Sequence, residues 1–299
     1  MIVARQLDIA RVLRSVGPPL IVLLAYDIAV TIVVVIYHQR WIAVEDLPLA
    51  LLGSALAIII GLRNSASYSR WWEARTLWGS VVNNSRSLAR GAIAMLQGRE
   101  GEARAAVLVN LQIAWAHALR LALRRQNPPW DDLEQLLPMD VLAHVRGAAN
   151  VPTALQAEMG RLLAEADQAG ALDSMRLVAL DRTLSELANA QGGLERIKNT
   201  PIPRQFVQFP RLFIAAYCLV LPVGLVSDLG IVTPIGSTVI GFAFYVLDQI
   251  GRDLESTFER TPHDVPMSAI TRTIEIDLRQ IMREREAPRP LAPTRGVLW

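Results

Sequence analysis

Residues 47–75 read LPLALLGSALAIIIGLRNSASYSRWWEAR. The segment from Leu47 to Leu62 carries no charge, and the polar residues from Arg63 onward follow without a proline or a glycine. This pattern predicts a membrane helix that leaves the bilayer and continues as a polar helix in water. Ser54, Ile58 and Leu62 stand four residues apart, so they share one face of that helix. If several copies of the chain surround an axis, this face forms a narrow apolar ring, which is the geometry of a pore neck.

The composition fits a protein that is part membrane and part water-soluble. Of the 299 residues, 52% are hydrophobic and 19% are charged, which is too apolar for an ordinary soluble domain of this size. The formal net charge is +2 and the basic residues are scattered, so no nucleic-acid partner is predicted. Cys218 is the single cysteine, which excludes a disulfide within the chain. No Cys/His cluster has metal-ligand spacing, so neither a metal nor a cofactor is predicted.

Four apolar segments are candidates to cross a bilayer. The first lies between Arg14 and His38, and the others are residues 47–62, 212–227 and 229–247. The second and third are shorter than the roughly 20 residues of a straight span, so they borrow flanking residues. Arginines cluster before the first segment and after the second, while the loop between them has Arg40 alone. This asymmetry predicts a multi-pass protein with both termini and residues 63–211 in the cytoplasm.

The chain is predicted to be an all-α integral membrane protein with a large cytoplasmic helical region. Residues 1–75 hold the N-terminal segment and the first two membrane helices, and 76–205 form the cytoplasmic region. Residues 206–250 hold the last two membrane helices, and 251–285 form a C-terminal helical segment. The tail, residues 286–299, contains three prolines and is expected to be disordered or draped over the surface.

Two motifs resemble those of the bestrophin family. The first is GLRNSASY at residues 61–68 followed by RWWEAR at residues 70–75, and the second is LERIKNTPIP at residues 194–203. The order of four spans with a helical insert between the second and third also fits, as does DVP at residues 264–266. The resemblance covers about residues 5–285 and is greatest to the short bacterial branch of the family.

Bestrophins are pentameric ion channels with an all-helical, flower-vase shape, and the second helix of each subunit lines a central neck. The resemblance therefore implies a homopentameric channel in the bacterial inner membrane, in contact with lipid, with four membrane helices per subunit. It places the neck at Ser54, Ile58 and Leu62 and a second, cytoplasmic constriction near Met175. Animal members carry large apolar side chains at all three neck positions. Because Ser54 is small and polar, the apolar gate is expected to be two rings deep.

Ser65 and Ser69 continue the neck face and are expected to line a wet vestibule below it. Rings of Ile58 and Leu62 cannot replace an ion's hydration shell, so they would block by dewetting and conduct when widened. The alternative for this stripe is a packing interface between helices.

Charges near the lower constriction bear on the sign of the conducted ion. Asp173, Asp181 and Glu186 would enrich cations, and Arg176 and Arg182 in the same segment oppose them. The expectation is a preference for monovalent cations such as Na⁺ or K⁺, with a chloride channel as the alternative. Animal bestrophins also hold calcium with an acidic cluster after the fourth span. The matching residues 248–255 read DQIGRDLE, and because Arg252 interrupts the acids we predict no calcium activation.

Asp27 interrupts the first apolar segment, and a carboxylate within a membrane helix is a functional candidate. The structural alternatives are pairing with an arginine of a neighbouring helix and capping of a broken helix. No histidine stands in a motif with a nucleophile and no glycine-rich phosphate loop is present, so an enzyme is not predicted. The remaining alternatives are a non-conducting scaffold or regulator of membrane proteins and an alternating-access transporter. The transporter is disfavoured because inverted repeats are missing.

Overall fold

The computed structural model describes residues 1–2, 9–44, 46–127 and 130–299, without the side chains of residues 9–11 and 131–132. In the described residues the regular structure is helical, and β-pairing is confined to the isolated bridges Ile2–Val297 and Thr294–Val297. The all-α prediction is therefore confirmed. The α-helices are α1 (Ile9–Thr31), α2 (Leu49–Met95), α3 (Gly98–Leu123), α4 (Trp130–Glu134), α5 (Met139–Arg146), α6 (Val151–Gln168), α7 (Ser174–Asn199), α8 (Arg204–Leu229), α9 (Thr233–Glu255) and α10 (Met267–Ile281).

Short irregular turns complete two of the membrane candidates. A π-helical turn, Ile32–Ile36, extends α1, and a 3₁₀ turn, Gly230–Val232, joins α8 to α9. Another 3₁₀ turn, Arg40–Ile42, lies between α1 and α2.

The described chain divides into two compact units. The membrane unit comprises the described residues of Ala4–Trp71 and Pro201–Ser256, which hold α1, the first part of α2, α8 and α9. The α3 unit comprises the described residues of Met1–Val3, Trp72–Thr200 and Thr257–Trp299.

Apolar side chains cover both the inside and the outside of the membrane unit. Its core contains Leu23, Leu56, Ile60 and Ile214, against which Tyr217 packs. Many large apolar side chains of the unit are instead exposed; they include Ile21, Val22, Leu51, Ile58, Leu62, Leu212 and Val239. A surface of this kind is stable only against lipid or another subunit.

Four segments of the described chain are long and apolar enough to cross a membrane: Val12–Ile36, Leu49–Met95, Gly98–Leu123 and Arg204–Glu255. The last of these contains both α8 and α9. In α3, 67% of the apolar stretch is buried within the protein, against 17–28% in the other three segments. We therefore assign α3 to a protein core, since a helix that faces lipid would leave its apolar surface uncovered by its own chain.

Helix α3 is the central helix of its unit and packs against α6, α7 and α10. The core around it is built from large apolar side chains, among them Trp78, Leu108, Trp115 and Leu119. Within this core the indole nitrogen of Trp115 donates to Gln191 Oε1 at 3.1 Å, whereas Trp78 Nε1 has no acceptor among the described residues.

Of the two states expected for residues 286–299, disordered or draped over the surface, the structure shows the second. Its Leu298 N–H donates to the carbonyl of Met1 at 2.9 Å, and Ala269 N–H donates to the carbonyl of Trp299 at 2.6 Å. Val297 is buried, and the guanidinium of Arg260 lies 5.9 Å from the centre of the Trp299 ring. The tail is thus draped over its unit. These apolar and main-chain contacts hold in place a segment whose prolines prevent a regular helix.

Candidate pore-lining site

The first part of α2 has one buried face and one exposed face. Leu56 and Ile60 are buried against the other helices of the membrane unit. On the opposite side Ile58 and Leu62 are 64% and 65% exposed, and Ser54 is also exposed, with its hydroxyl donating to Ala50 O at 2.7 Å. The three residues therefore share a face that takes no part in the subunit's own core.

Ser65 and Ser69 continue this face and are exposed. Their hydroxyls offer neutral hydrogen-bonding groups below the apolar side chains of Ile58 and Leu62. Between them Ser67 is buried on the packed side of the helix. On the exposed face, serine hydroxyls therefore replace apolar side chains at the point where the apolar run ends.

Arg63 fixes the end of the apolar run to α9. Its Nη1 contacts Asp248 Oδ1, and its Nη2 donates to the main-chain oxygen of Asp248 at 2.8 Å. The neighbouring Asn64 Nδ2 donates to Leu247 O at 2.9 Å. From the sequence, Arg63 was used for membrane orientation and as part of a family motif, and this contact with Asp248 was not predicted. The available signal was Asp248, an acid directly after the last apolar run.

Two further arginines lie close to the carboxylate of Asp248. Arg252 Nη1 lies 3.2 Å and Arg211 Nε 3.8 Å from its Oδ2. Asp253 Oδ1, farther along α9, accepts from Gln249 Nε2 at 2.7 Å. Within the described residues no group of three or more His, Cys, Asp or Glu side chains could hold a metal ion. Insensitivity to calcium stays a prediction, which the occupation of Asp248 by arginines supports.

In the α3 unit, Met175 lies in the first turn of α7 and is 83% exposed. Asp173 caps this helix by accepting from Arg176 N at 3.0 Å, and its carboxylate pairs with Arg176 Nε at 3.0 Å. Arg182 and Glu186 are exposed and fall on the Met175 face, because they follow it by seven and eleven residues. The exposed line of α7 thus carries charges of both signs.

Asp27 is fully buried in the membrane unit and is held by hydroxyl groups. Thr238 Oγ1 donates to its Oδ2 at 2.9 Å, and Thr31 Oγ1 donates to its main-chain oxygen at 2.8 Å. Its Oδ1 has no donor among the described residues. Of the structural roles expected for Asp27, an ion pair with an arginine is not seen among the described residues, and the partner of its carboxylate is Thr238 of α9.

Residues 3–280 match the family described as Bacterial/Fungal Bestrophin protein. The chain belongs to the bestrophin family. The match includes residues of both units, and the resemblance seen in the two sequence motifs is confirmed.

Relatives of this bestrophin are named as channels. It is 33% identical to a voltage-dependent anion channel-forming protein of Ralstonia nicotianae, over 90% of this chain and 89% of that protein. It is 34% identical to the voltage-dependent anion channel-forming protein YneE of Escherichia coli K12, over 95% of this chain and 92% of that protein. The family and these relatives indicate a membrane ion channel and not an enzyme.

Solved structures agree with this fold. A Trp-to-Ala variant of a bacterial bestrophin homologue from Klebsiella pneumoniae superposes with a TM-score of 0.83 at 31% identity. The match covers 90% of this chain and 99% of that one. A Tyr-to-Ala variant of the same homologue gives a TM-score of 0.82 at 31% identity, over 89% of this chain and all of that one (100%).

Proposed function

We propose that this bestrophin forms a homopentameric ion channel in the bacterial inner membrane. Each subunit contributes four membrane helices, α1, the first part of α2, α8 and α9, and both termini face the cytoplasm. The observation that carries the proposal is the exposed apolar face of Ile58 and Leu62 on a helix whose other side is packed in its own subunit. Family membership and the names of the relatives support the same class of function.

The neck works as a hydrophobic gate in this proposal. Ile58 and Leu62 of five subunits form two apolar rings, with Ser54 on one side and the vestibule serines, Ser65 and Ser69, on the other. A narrow apolar ring expels water, and an ion then meets a barrier because it cannot shed its hydration shell there. A small outward movement of α2 rewets the ring and opens the channel. Met175 forms the second, cytoplasmic constriction.

We propose that the conducted ions are anions, in place of the cation preference expected from the sequence. The relatives are named anion channel-forming proteins. Helix α2 contains a single acid, Glu73, which accepts from Arg196 Nη2 at 2.6 Å. Asp173, one of the acids on which the cation expectation depended, is paired with Arg176. A carboxylate that is paired with a guanidinium attracts cations less than a free one does.

The cation alternative is favoured by the exposed carboxylates of Asp181 and Glu186 on α7. Exposed charges in a vestibule raise the local concentration of counter-ions. Arg182 lies between the two acids in the sequence and is also exposed, so it offsets their field.

Measurement of the reversal potential distinguishes the anion channel from the cation channel. Purified protein, shown by native mass spectrometry to be a pentamer, is placed in planar bilayers under a roughly tenfold KCl gradient. Under this gradient the equilibrium potentials of chloride and potassium have opposite signs. A shift toward the chloride equilibrium potential supports the anion channel. A shift toward potassium replaces it with the cation channel. Absence of current from verified pentamers, at all voltages, supports a neck that stays closed or a non-conducting scaffold, and current from the Ile58→Ala, Leu62→Ala variant then identifies the closed neck.

A further inference from the structure

The membrane unit contains a cavity of about 380 Å³ between the π-helical turn Ile32–Ile36, the loop that follows this turn and the last turn of α8. Its volume falls within the roughly 300–1,000 Å³ that is typical of small-molecule sites. The residues that line it are Val34, Val35, His38, Arg40, Ala43, Val226 and Ser227. The cavity therefore has an apolar part and a polar part.

The apolar part is a fixed floor. Val34 and Val226 are buried in one apolar cluster, against which Ala43 packs. The loop is attached to α8 at this level, since Val44 N–H donates to Val223 O at 3.4 Å. The floor is thus held by contacts of the chain itself, and a ligand that enters the cavity meets a surface that is already formed.

The polar part is a rim of hydrogen-bond donors. Arg40, His38 and Ser227 are exposed on the cavity wall. Among the described residues, neither the Arg40 guanidinium nor the His38 ring forms an ion pair with an acid. The donors of the Arg40 side chain are therefore available to a ligand.

No described acid lines the wall. Asp46 and Asp228, which are close to the rim residues in the sequence, are exposed and lie outside the wall. Glu45 is not among the described residues. The wall thus offers donors to an anion and, in its described part, no carboxylate to an ammonium group. One negative charge on the ligand is enough to pair with Arg40.

The cavity lies where an apolar span ends. The span Val12–Ile36 reaches into its wall, and the side chain of Ile36 is 60% exposed. Tyr37 and Trp41, which follow the span, are 67% and 79% exposed. Exposed aromatic side chains of this kind are enriched at the level of lipid headgroups. Apolar surface for an acyl chain therefore adjoins the basic rim.

We propose that this cavity binds the phosphate group of an anionic phospholipid, one whose headgroup carries hydroxyls and no ammonium. The Arg40 guanidinium would pair with two phosphate oxygens, and the headgroup hydroxyls would exchange hydrogen bonds with His38 and Ser227. The glycerol backbone and the first methylenes would cover the valines of the floor. A phospholipid uses both parts of the cavity, whereas inorganic phosphate would use the polar part alone.

The proposal requires a membrane protein but not ion conduction, so a non-conducting scaffold would carry the same site. Basic pockets between membrane helices are known to hold anionic headgroups. With both termini in the cytoplasm, as proposed above, the bound lipid belongs to the outer leaflet of the membrane. That leaflet assignment rests on the proposed topology, and the binding itself does not.

Binding is tested on the purified full chain in detergent at pH 7.5 and fixed ionic strength. The probes are short-chain phosphatidylglycerol, short-chain phosphatidylcholine and sodium phosphate, and the readouts are thermal unfolding and native mass spectrometry. We expect phosphatidylglycerol to raise Tm most and to stay bound in the mass spectra. Equal stabilisation by phosphatidylcholine would overturn the proposal, because acyl chains alone would explain it. Equal stabilisation by sodium phosphate would assign the cavity to soluble phosphate and overturn the lipid. No stabilisation by phosphatidylglycerol would also overturn the proposal.

Charge-matched variants locate the binding, with the affinity taken from the first lipid bound at limiting lipid concentration. Arg40→Gln is expected to weaken the affinity for phosphatidylglycerol about tenfold, because it removes a hydrogen-bonded charge pair. Arg14→Gln removes an exposed arginine of the same unit that lies outside the cavity wall, and it is expected to leave this affinity unchanged. Equal losses in the two variants would refute the site.

A further variant keeps every charge. Ser227 is exposed on the cavity wall, and Ser227→Trp places a large ring in the cavity at a level of the membrane where tryptophan is favourable. We expect this variant to keep its basal Tm and to lose the stabilisation by phosphatidylglycerol. Stabilisation equal to that of the natural chain would contradict the proposal even if Arg40→Gln fails to fold.

Discussion

Arg63 contacts Asp248 through both ends of its guanidinium, once at the carboxylate and once at the main-chain oxygen. Both side chains are only 3% exposed. Leu62, the inner ring of the proposed neck, precedes Arg63 directly, so this pair ties the end of the neck segment of α2 to α9. A buried arginine of this kind is stable only while its carboxylate partner is present.

Removal of that carboxylate is expected to be costly. Asp248→Ala leaves Arg63 buried without its main partner, and the loss of one member of a buried pair costs about 3–5 kcal/mol. The thermal midpoint of the purified protein should fall accordingly. Asp228→Ala, which removes an exposed acid of the same unit, serves as the control and should change stability by no more than about 0.5 kcal/mol. A fall in Tm no larger than that of the control would show that the pair is dispensable.

Gly251 leaves room for this contact. A Cβ at this position would collide with Asn64 Oδ1 and with Arg63 Nη2, and Arg63 cannot move away without losing Asp248. Gly251→Ala is therefore expected to destabilise the protein by about 1–3 kcal/mol, as overpacking does.

The matched control for Gly251→Ala is Gly192→Ala in α7, where a Cβ meets nothing within 4 Å. Alanine in an open helix position stabilises by roughly 0.5–1 kcal/mol. The two substitutions should thus move Tm in opposite directions. A stabilising Gly251→Ala would mean that Arg63 has an alternative position.

Helix positions followed from local sequence in this chain. Asp173 caps the start of α7, and the prolines at 201 and 203 follow directly after its end; signals of this kind act within a few residues. Helix α3 is as hydrophobic as a membrane span, yet protein surrounds it. Hydropathy alone does not separate these cases, since both lipid and a protein core accept apolar side chains.

The candidate site was likewise predictable from the sequence only in part. The exposed face of Ser54, Ile58 and Leu62 was predicted from four-residue spacing together with the family motifs. The contact between Arg63 and Asp248 joins residues 185 positions apart, and periodicity contains no information on which helices become neighbours. The same applies to the contact of Glu275 in α10 with His117 in α3, whose residues are 158 positions apart.

The ionisation of Glu275 makes the free energy of unfolding depend on pH. Burial alone would raise its pKa, but the hydrogen bond from His117 and the charges of Arg272 and Arg279 outweigh burial and lower the pKa from the ordinary 4.5 in the folded state. Its stabilisation is therefore present above about pH 4.5 and is lost as pH falls through the lower folded value. Glu275→Gln should cost about 2 kcal/mol at pH 7, since it removes hydrogen bonds to charged groups.

The difference in Tm between Glu275→Gln and the natural chain should begin to close below about pH 4.5, where the carboxyl of the unfolded chain takes up a proton, and should vanish as pH falls through the lowered pKa of the folded state. Thermal unfolding from pH 7 to pH 3 measures it. Glu102→Gln, at an exposed position of α3, is the control and should show a difference within about 0.5 kcal/mol throughout. A difference for Glu275→Gln that persists unchanged at pH 3 would indicate a packing role and not an ionic one.

The proposed gate predicts a gain of conductance. Ile58→Ala with Leu62→Ala widens both apolar rings, which lowers the dewetting barrier, and should raise single-channel current severalfold. Ser54→Leu, which adds a third apolar ring, should lower it. Leu52→Ala with Ile59→Ala removes the same two side-chain types from exposed positions on another face of α2 and should leave the current unchanged. Single-channel recording of verified pentamers measures all three. Equal currents for the two double variants would remove Ile58 and Leu62 from the gate and favour the alternative that their stripe packs against another helix.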